Sequence, residues 1–427
     1  MHRLNNEPAG SPASTSKPAT RDAYTGVDFN LGFHVSHYNL DFDYRVGPNR
    51  LDATATLTLT PWRDLETMTL DLVDGMRVRS VEASAAPVKR FRQSGNKLRI
   101  TFAEPVEVDT EFRLAVRYVG NPHPRRTTWG HLGWEELTNG ALTANQPNGA
   151  PSWFPCDDAP GEKATYTIAV RTDRGYQAIT TSTTRPVPAY LASVNIGQFR
   201  HVRSGRNTGT WLPRSVEMGD FALQQEMLDF FETRFGPYPF ERYDAIVHED
   251  NLEIPLEAAG QSIFGRNHTS GEERLIAHEL AHQWFGNSLS IADWGDIWLN
   301  EGFACYAEWL WLDFKGRTTL DSSVTTHYNI LASLRPLEFP LANPGPKEMF
   351  DDRVYKRGAL TLHALHMALG SEAFFSAVRN YTAKSAHGVV EQGDFARALG
   401  AASPSMKPQI DAVWNAWLRT TALPPLG

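Results

Sequence analysis

Cysteine is scarce in this chain, which has only Cys156 and Cys305 among 427 residues. Two distant cysteines exclude a small disulfide-bonded scaffold and suit a reducing compartment, so we expect a cytosolic protein. Long apolar runs are also lacking, because no window approaches the ~20 apolar residues that a membrane helix needs. The amino terminus has no apolar stretch of the kind found in secretory signals. We therefore expect neither a membrane-spanning protein nor one exported by such a signal.

Blocks of basic residues are lacking as well. The formal net charge is -8, and lysine and arginine are spread along the chain. This distribution offers no broad cationic surface, so we expect no nucleic-acid partner and no attachment to anionic membranes. Hydrophobic residues make up 41% of the chain and aromatic residues 11%, which is enough for two or more domains with separate cores.

The residue pattern changes twice along the chain. Residues 1–24, rich in Ser, Pro, Ala and Thr, predict a disordered tail. Residues 25–212 contain short alternating segments such as LDATATLTLT and FRLAVRY, which predict the antiparallel strands of an all-β sandwich or saddle. We expect residues 204–214, across the end of this part, to form a connector into the next domain. Residues 213–427 repeat apolar side chains at three and four, with one β-rich stretch at 243–265, and predict a mixed, mainly helical domain.

The stretch HELAHQWFGN, at residues 278–287, has the spacing of a metal site. His278 and His282 are four residues apart, so they project from one helix face and can bind one ion. A catalytic zinc ion takes three protein ligands and keeps a fourth position for water. Ser288 excludes the class in which a histidine six residues after His282 is the third ligand. Glu301 follows 18 intervening residues and opens the next predicted helix, so it is the candidate third ligand.

Two further glutamates extend this pattern. Three such ligands leave a net positive centre, which lowers the pKa of a bound water toward ~7 and polarises a carbonyl. Glu279 would take the proton of that water and deliver it to the leaving amine. Glu308, seven residues after Glu301, is either an acceptor for a ligand imidazole or a solvated helix carboxylate. The ligand types favour one zinc ion per chain, and other divalent ions also suit such a site.

The motif, the 18-residue spacing and the following NEGFA together resemble the signature of the M1 family of zinc metallopeptidases, the aminopeptidase N and leukotriene A4 hydrolase group. The segments APSWFPCDDAPGEKATYTIAV, FGPYPFERYDAIV and VYKRGALTLHAL are similar to further parts of that family. The resemblance implies an amino-terminal β domain followed by a thermolysin-like α+β, mainly helical, catalytic domain. It also implies a zinc-dependent aminopeptidase whose substrates are peptides with a free amino terminus.

The resemblance implies roles for three more residues. Glu257 stands at the glutamate of the family's Gly-x-Met-Glu-Asn element, which binds the substrate α-ammonium, although the flanking residues differ here. Gln146 aligns with a first-domain residue that reaches the same amine. Tyr355 aligns with the tyrosine that stabilises the oxyanion. Taken without the resemblance, these residues are typical of a loop carboxylate, a turn residue and a core aromatic, respectively.

Three alternatives remain open at this point. A zinc endopeptidase would use the same ligands without needing Glu257, an epoxide hydrolase would reuse the zinc site on a lipid, and a non-catalytic interaction protein would keep only the fold. The chain ends at WLRTTALPPLG, where many members of the resembling family continue into a large helical domain that covers the cleft. We therefore expect a cleft that is more open, tolerant of longer peptides, or shielded by a partner subunit in a homo-oligomer.

Overall fold

A computed structural model describes residues 20–181, 183–335 and 337–426. Residues 1–19 of the predicted tail lie outside the described residues. The end of that tail is ordered, because Tyr24 is buried and its hydroxyl is hydrogen-bonded to the Asn343 side chain and to the Gly345 N–H, 3.1 Å away. The tail prediction is therefore wrong for residues 20–24. The Tyr24 ring and backbone hydrogen bonds of Thr20 and Asp22 with residues 26–29 hold this segment.

The first part of the chain is built from strands. In chain order they are β1 (Phe33–Arg45), β2 (Arg50–Pro61), β3 (Leu65–Asp71), β4 (Met76–Ala83), β5 (Val88–Ser94), β6 (Lys97–Val106), β7 (Phe112–Gly120), β8 (Arg125–Thr127), β9 (Gly130–Leu137), β10 (Gly140–Ala144), β11 (Lys163–Arg171), β12 (Gln177–Thr180), β13 (Thr183–Pro188) and β14 (Val194–Gly197).

These strands form three sheets with the orders β13-β11-β1-β2-β7-β4, β12-β14-β10-β9-β8 and β3-β6-β5. Buried and exposed residues alternate along β1 and β2, where Leu40, Phe42, Leu57 and Leu59 face the core. This alternation arises because successive side chains of a strand point to opposite faces of the sheet. The predicted all-β first domain is confirmed.

The second part of the chain combines one larger sheet with helices. Its strands are β15 (Phe199–Arg203), β16 (Thr208–Pro213), β17 (Tyr243–His248), β18 (Leu256–Ala258), β19 (Gln261–Gly265), β20 (Ser290–Ile291) and β21 (Val389–Val390). Its helices are α1 (Gln224–Phe235), α2 (Glu273–Ala281), α3 (Trp298–Phe314), α4 (Leu320–Ser333), α5 (Asp352–Leu369), α6 (Ser371–Lys384), α7 (Gln392–Ala402) and α8 (Lys407–Leu418). The predicted mixed, mainly helical domain is confirmed.

The five-stranded sheet of this domain, β15-β16-β17-β19-β18, runs across residue 212. The expected connector at residues 204–214 contains β16, so that prediction is wrong. β16 pairs with β15 on one side and runs parallel to β17 on the other, and almost all of its residues are buried. A strand buried on both faces shows no polar–apolar alternation, which is why the sequence pattern missed it. The domain division at residue 212 stays a prediction.

Three helices provide the framework of the site. Just before α2, the N–H groups of Gly271 and Glu272 donate to Asp220 Oδ2 at 2.8 and 3.2 Å, which anchors the turn that leads into the helix. α3 is buried over most of its length and packs against both α2 and α5. No helix in the described ranges has the combined length and apolar character that crossing a bilayer requires.

Candidate active site

Two helices bring His278, His282 and Glu301 together. His278 lies in α2, His282 directly follows its last residue, and Glu301 is in the first turn of α3. Each histidine Nε2 is 3.4 Å from Glu301 Oε2, and all three side chains are buried. Ligand atoms held about 2.0–2.1 Å from a tetrahedral zinc ion are themselves about 3.3–3.4 Å apart. The three residues therefore fit one zinc ion.

The other nitrogen of each histidine is engaged away from this space. The Nδ1–H of His278 donates to Glu308 Oε1 at 2.6 Å, and the Nδ1–H of His282 donates to the Phe285 carbonyl at 3.0 Å. Such bonds fix the tautomer and direct Nε2 toward a metal. Glu308 is 1% exposed and also accepts a hydrogen bond from Arg274 at 2.9 Å. This burial excludes the alternative that Glu308 is a solvated carboxylate.

Negative charge dominates the electrostatics of the ligand group. Burial alone would raise the pKa of Glu301, but the charge on His282 and hydrogen bonds from both imidazoles lower it to about 2. Burial alone would lower the pKa of His282, but the charge of Glu301 and its hydrogen bond raise it to about 10. The surroundings therefore favour positive charge between these side chains, which a divalent cation supplies.

A second group of side chains adjoins the ligands. Glu257 in β18, Glu279 in α2 and His282 have metal-binding atoms within 4.8 Å of one another. Glu279 Oε2 is buried and has no hydrogen-bond partner among the described residues, so it is free to exchange a proton. The Nε2–H of Gln146 donates to Glu257 Oε1 at 2.5 Å. A side chain of the β domain thus meets the glutamate of the helical domain beside the ligands.

Tyr355 lies on α5 over the His278 ring, with ring centroids 6.2 Å apart and an angle of 15° between the planes. Among the described residues, no group forms a hydrogen bond with its hydroxyl. Burial raises the pKa of Tyr355 well above its usual value, and the charges of Glu301 and Glu257 add to this effect. The phenol therefore stays protonated and remains available as a hydrogen-bond donor.

Sequence reasoning missed three residues that support this group. Gln283 and Asn287 each donate a side-chain N–H to the carbonyl of Ala258, at 3.1 and 2.9 Å, next to the β18 glutamate. Both residues lie in the stretch 278–287 that contains the metal motif, and this position was the sequence signal that could have identified them. Lys163 of the β domain donates to the Asn287 carbonyl at 3.4 Å. No local sequence pattern indicated this long-range contact.

Two family models match the chain. The Peptidase M1 N-terminal domain matches residues 34–200, and the Peptidase family M1 domain matches residues 220–417. The first match contains Gln146, and the second contains all the other candidate site residues. The candidate site residues are therefore divided between the two matched domains.

Relatives and solved structures agree with this match. Human endoplasmic reticulum aminopeptidase 1 is 26% identical over 456 aligned residues, which cover 93% of this chain and 47% of the relative, so the chain spans about half the length of that protein. An M1 zinc metallopeptidase mutant from Deinococcus radiodurans, bound to a Tyr-Ser-Ala substrate, has a TM-score of 0.85 and 27% identity, covering 95% of this chain and 98% of that one. Yeast LTA4 hydrolase shares the fold, with a TM-score of 0.80, 20% identity and coverage of 97% and 72%.

Proposed function

Because the chain belongs to peptidase family M1, we propose that it is a zinc-dependent aminopeptidase, which hydrolyses the first peptide bond of peptides with a free amino terminus. The observation that carries the proposal is the position of Glu257, within 4.8 Å of Glu279 and His282. A carboxylate in a secluded cleft is the group that a substrate ammonium needs as its counter-charge. The aminopeptidase activity of the human relative and the peptide-bound bacterial structure support the same function.

His278, His282 and Glu301 would hold the zinc ion. When bound there, zinc supplies polarisation of the substrate carbonyl and makes water acidic enough to act as a nucleophile near neutral pH. Glu308 and the Phe285 carbonyl keep the two imidazoles oriented through their Nδ1–H groups.

Glu279 and Tyr355 carry out the proton transfer and the charge stabilisation. Glu279 Oε2 accepts the proton of the attacking water and later returns it to the leaving amine. Burial raises the pKa of Glu279, which makes its carboxylate a stronger base. The Tyr355 hydroxyl donates a hydrogen bond to the carbonyl oxygen as negative charge builds up on it, so this bond strengthens in the transition state.

Glu257 and Gln146 determine which bond of the substrate peptide is cleaved. The Glu257 carboxylate binds the substrate α-ammonium. Gln146 donates an N–H to Glu257, and its amide oxygen can accept a hydrogen bond from the same ammonium. Because the substrate amine is fixed, only the first carbonyl of the peptide lies where the water activated by Glu279 can attack it. The enzyme therefore removes single residues.

We also propose a cytosolic location and no nucleic-acid partner. The location is supported by Cys156 and Cys305, which are both unpaired and buried. The second statement rests on the net charge of -8 and the spread of basic residues. Cell fractionation would test the location. The mass in solution would test whether a partner subunit covers the cleft.

The test of the proposed function compares aminoacyl arylamides with their N-acetylated counterparts, with and without a zinc chelator. We expect chelator-sensitive cleavage of the free-amine substrates alone. Equal cleavage of both sets would show that Glu257 is not needed to bind a free amine and would favour an endopeptidase. Cleavage of neither set by zinc-loaded protein would favour the epoxide hydrolase or the non-catalytic alternative.

A further inference from the structure

Lys163, the first residue of β11, extends its ammonium group out of the β domain into the loop that follows the metal-binding helix. Its Nζ donates to the carbonyls of Ser288 at 2.7 Å, Gly388 at 3.0 Å and Asn287 at 3.4 Å. The side chain is buried. Across the described ranges no carboxylate oxygen forms an ion pair with it, so main-chain carbonyls take the place of a counter-charge. A buried lysine without an acidic partner is rare, which calls for a specific reason here.

The loop held by Lys163 is bonded to both halves of the site. The Asn287 N–H donates to the His282 carbonyl at 3.0 Å, and the Asn287 side chain donates to the Ala258 carbonyl at 2.9 Å. Ala258 directly follows Glu257. Asn287 therefore links a candidate metal ligand on one side to the candidate ammonium-binding strand on the other.

The β domain thereby contacts this small region at two places. Gln146 bonds the Glu257 carboxylate directly, and Lys163 bonds the loop that supports the strand of Glu257. Lys163 is itself fixed, because it stands opposite Pro188 in the pairing of β11 with β13. The loop turns sharply at this point, where Gly286 has a φ of 117°, and the bonds from Lys163 lie directly after that turn.

We propose that Lys163 is a positioning residue for the substrate's amino terminus. Its ammonium fixes the loop of residues 286–288 against β11, and through Asn287 it sets the separation between Glu257 and the metal ligands. This proposal rests on the proposed aminopeptidase function, because only an enzyme that measures its cleavage site from the amine depends on that separation. A displaced Glu257 carboxylate would meet the substrate ammonium at a poorer distance and angle, so the displacement weakens substrate binding more than the chemical step.

The experiment compares wild type, Lys163→Met and Lys163→Arg, with Lys97→Met as the matched control. Lys97 is also a buried lysine of the β domain, but it pairs with Asp71 at 2.7 Å, and its hydrogen bonds to described residues go to Asp28 and Asn30, outside the candidate site. We expect Lys163→Met to raise KM for free-amine arylamides about tenfold or more, with a smaller change in kcat and an unchanged zinc content. Lys163→Arg should restore part of the lost affinity, and Lys97→Met should leave KM unchanged despite a loss of stability.

A second readout needs no turnover. Hydrogen exchange of the amides in residues 286–290 should become faster in Lys163→Met and stay unchanged in Lys97→Met. If wild type cleaves no free-amine substrate, the proposed function fails, and this exchange measurement still tests whether Lys163 holds the loop. If Lys163→Met does not fold, Asn287→Ala removes the next link of the same connection, from the Asn287 side chain to the Ala258 carbonyl, and should raise KM in the same way. Unchanged KM and unchanged exchange, with a loss of stability matching that of Lys97→Met, would show that Lys163 is structural and overturn the proposal.

Discussion

The backbones of Gly302 and Gly358 touch where α3 crosses α5. A β-carbon on Gly358 would lie 2.8 Å from the Gly302 Cα, and one on Gly302 would lie 2.9 Å from the Gly358 Cα. Real β-carbons do not approach backbone atoms this closely, so the two helices cross at a distance that only glycine permits. Glu301 precedes one glycine and Tyr355 lies three residues before the other. The contact therefore sets the spacing between a candidate metal ligand and the candidate oxyanion donor.

Gly358→Ala should separate these two helices. We expect the free energy of unfolding to fall by about 1–3 kcal/mol, because the added methyl group meets backbone that cannot rotate away. Activity should fall about tenfold or more, since Tyr355 moves with α5. Urea unfolding and steady-state kinetics measure the two effects. Gly400→Ala is the matched control, because Gly400 also lies in a helix and no described residue comes within 4 Å of an added β-carbon. This substitution should be neutral or stabilising. Equal results for both variants would contradict the argument.

Glu279→Gln should separate catalysis from metal binding. The substitution keeps the shape of the side chain but removes the proton acceptor, so we expect kcat to fall by about 10²- to 10⁴-fold. The three candidate ligands are untouched, so zinc content measured by elemental analysis should stay at that of wild type. Substantial remaining activity would remove Glu279 as the general base.

Glu308→Gln should weaken the metal site without touching a ligand. The Nδ1–H of His278 loses its charged acceptor at 2.6 Å, and we expect zinc affinity to fall by about 10- to 100-fold. Competition with a chelator of known affinity measures the change. Glu226→Gln is the control, since Glu226 pairs on the surface with Lys315 and should leave zinc affinity unchanged. Equal affinities of the two variants would mean that the Glu308 contact does not orient His278.

Local spacing determined how much of this molecule could be predicted. His278 and Glu279 lie in α2, and His282 directly follows its last residue in a helical conformation, so helix geometry places the two imidazoles on one side. The 18 residues between His282 and Glu301 leave room for the chain to turn back. The seven-residue step from Glu301 to Glu308 returns to the same helix face by the same rule. The resemblance to the M1 family is confirmed by both family models. The roles of all the candidate site residues, including the zinc ligands and Glu279, stay predictions.

The features that sequence reasoning missed depend on contacts between distant parts of the chain. Lys163 meets the Asn287 loop across more than a hundred residues, and its chain neighbours in β11 follow an ordinary strand pattern. Tyr24 is held by Asn343, 319 residues further along the chain. Strand β16 is buried on both faces, so it lacks the alternation of a surface strand and was predicted to be part of a connector. In each case the local structure depends on a partner segment that is distant along the chain, and a single sequence does not identify that segment.

The stability of the protein should depend on pH through Lys163. Burial lowers the pKa of Lys163 to about 7 from its ordinary 10.5. Between these values the unfolded chain binds a proton that the folded chain does not, so the contribution of this group to stability rises as pH increases from about 7. Lys163→Met lacks the group. The unfolding free energy of wild type should therefore increase relative to that of Lys163→Met from about pH 7 to pH 9, with a slope of at most about 1.4 kcal/mol per pH unit.

Urea unfolding of both proteins across this pH range measures the difference, because changes in all other groups cancel between them. Parallel stability curves would mean that the three carbonyls stabilise the ammonium as well as water does, and that its pKa is the same in the folded and unfolded chains. If the two curves converge or diverge with pH, the change in their separation measures the balance of two effects, the cost of burying the charge and the stabilisation by the hydrogen bonds. A neutral amine still donates to two carbonyls, so the loop should stay in place while the cost of burial disappears. Stability would then rise with pH while KM for free-amine substrates, corrected for ionisation of the substrate, changes little.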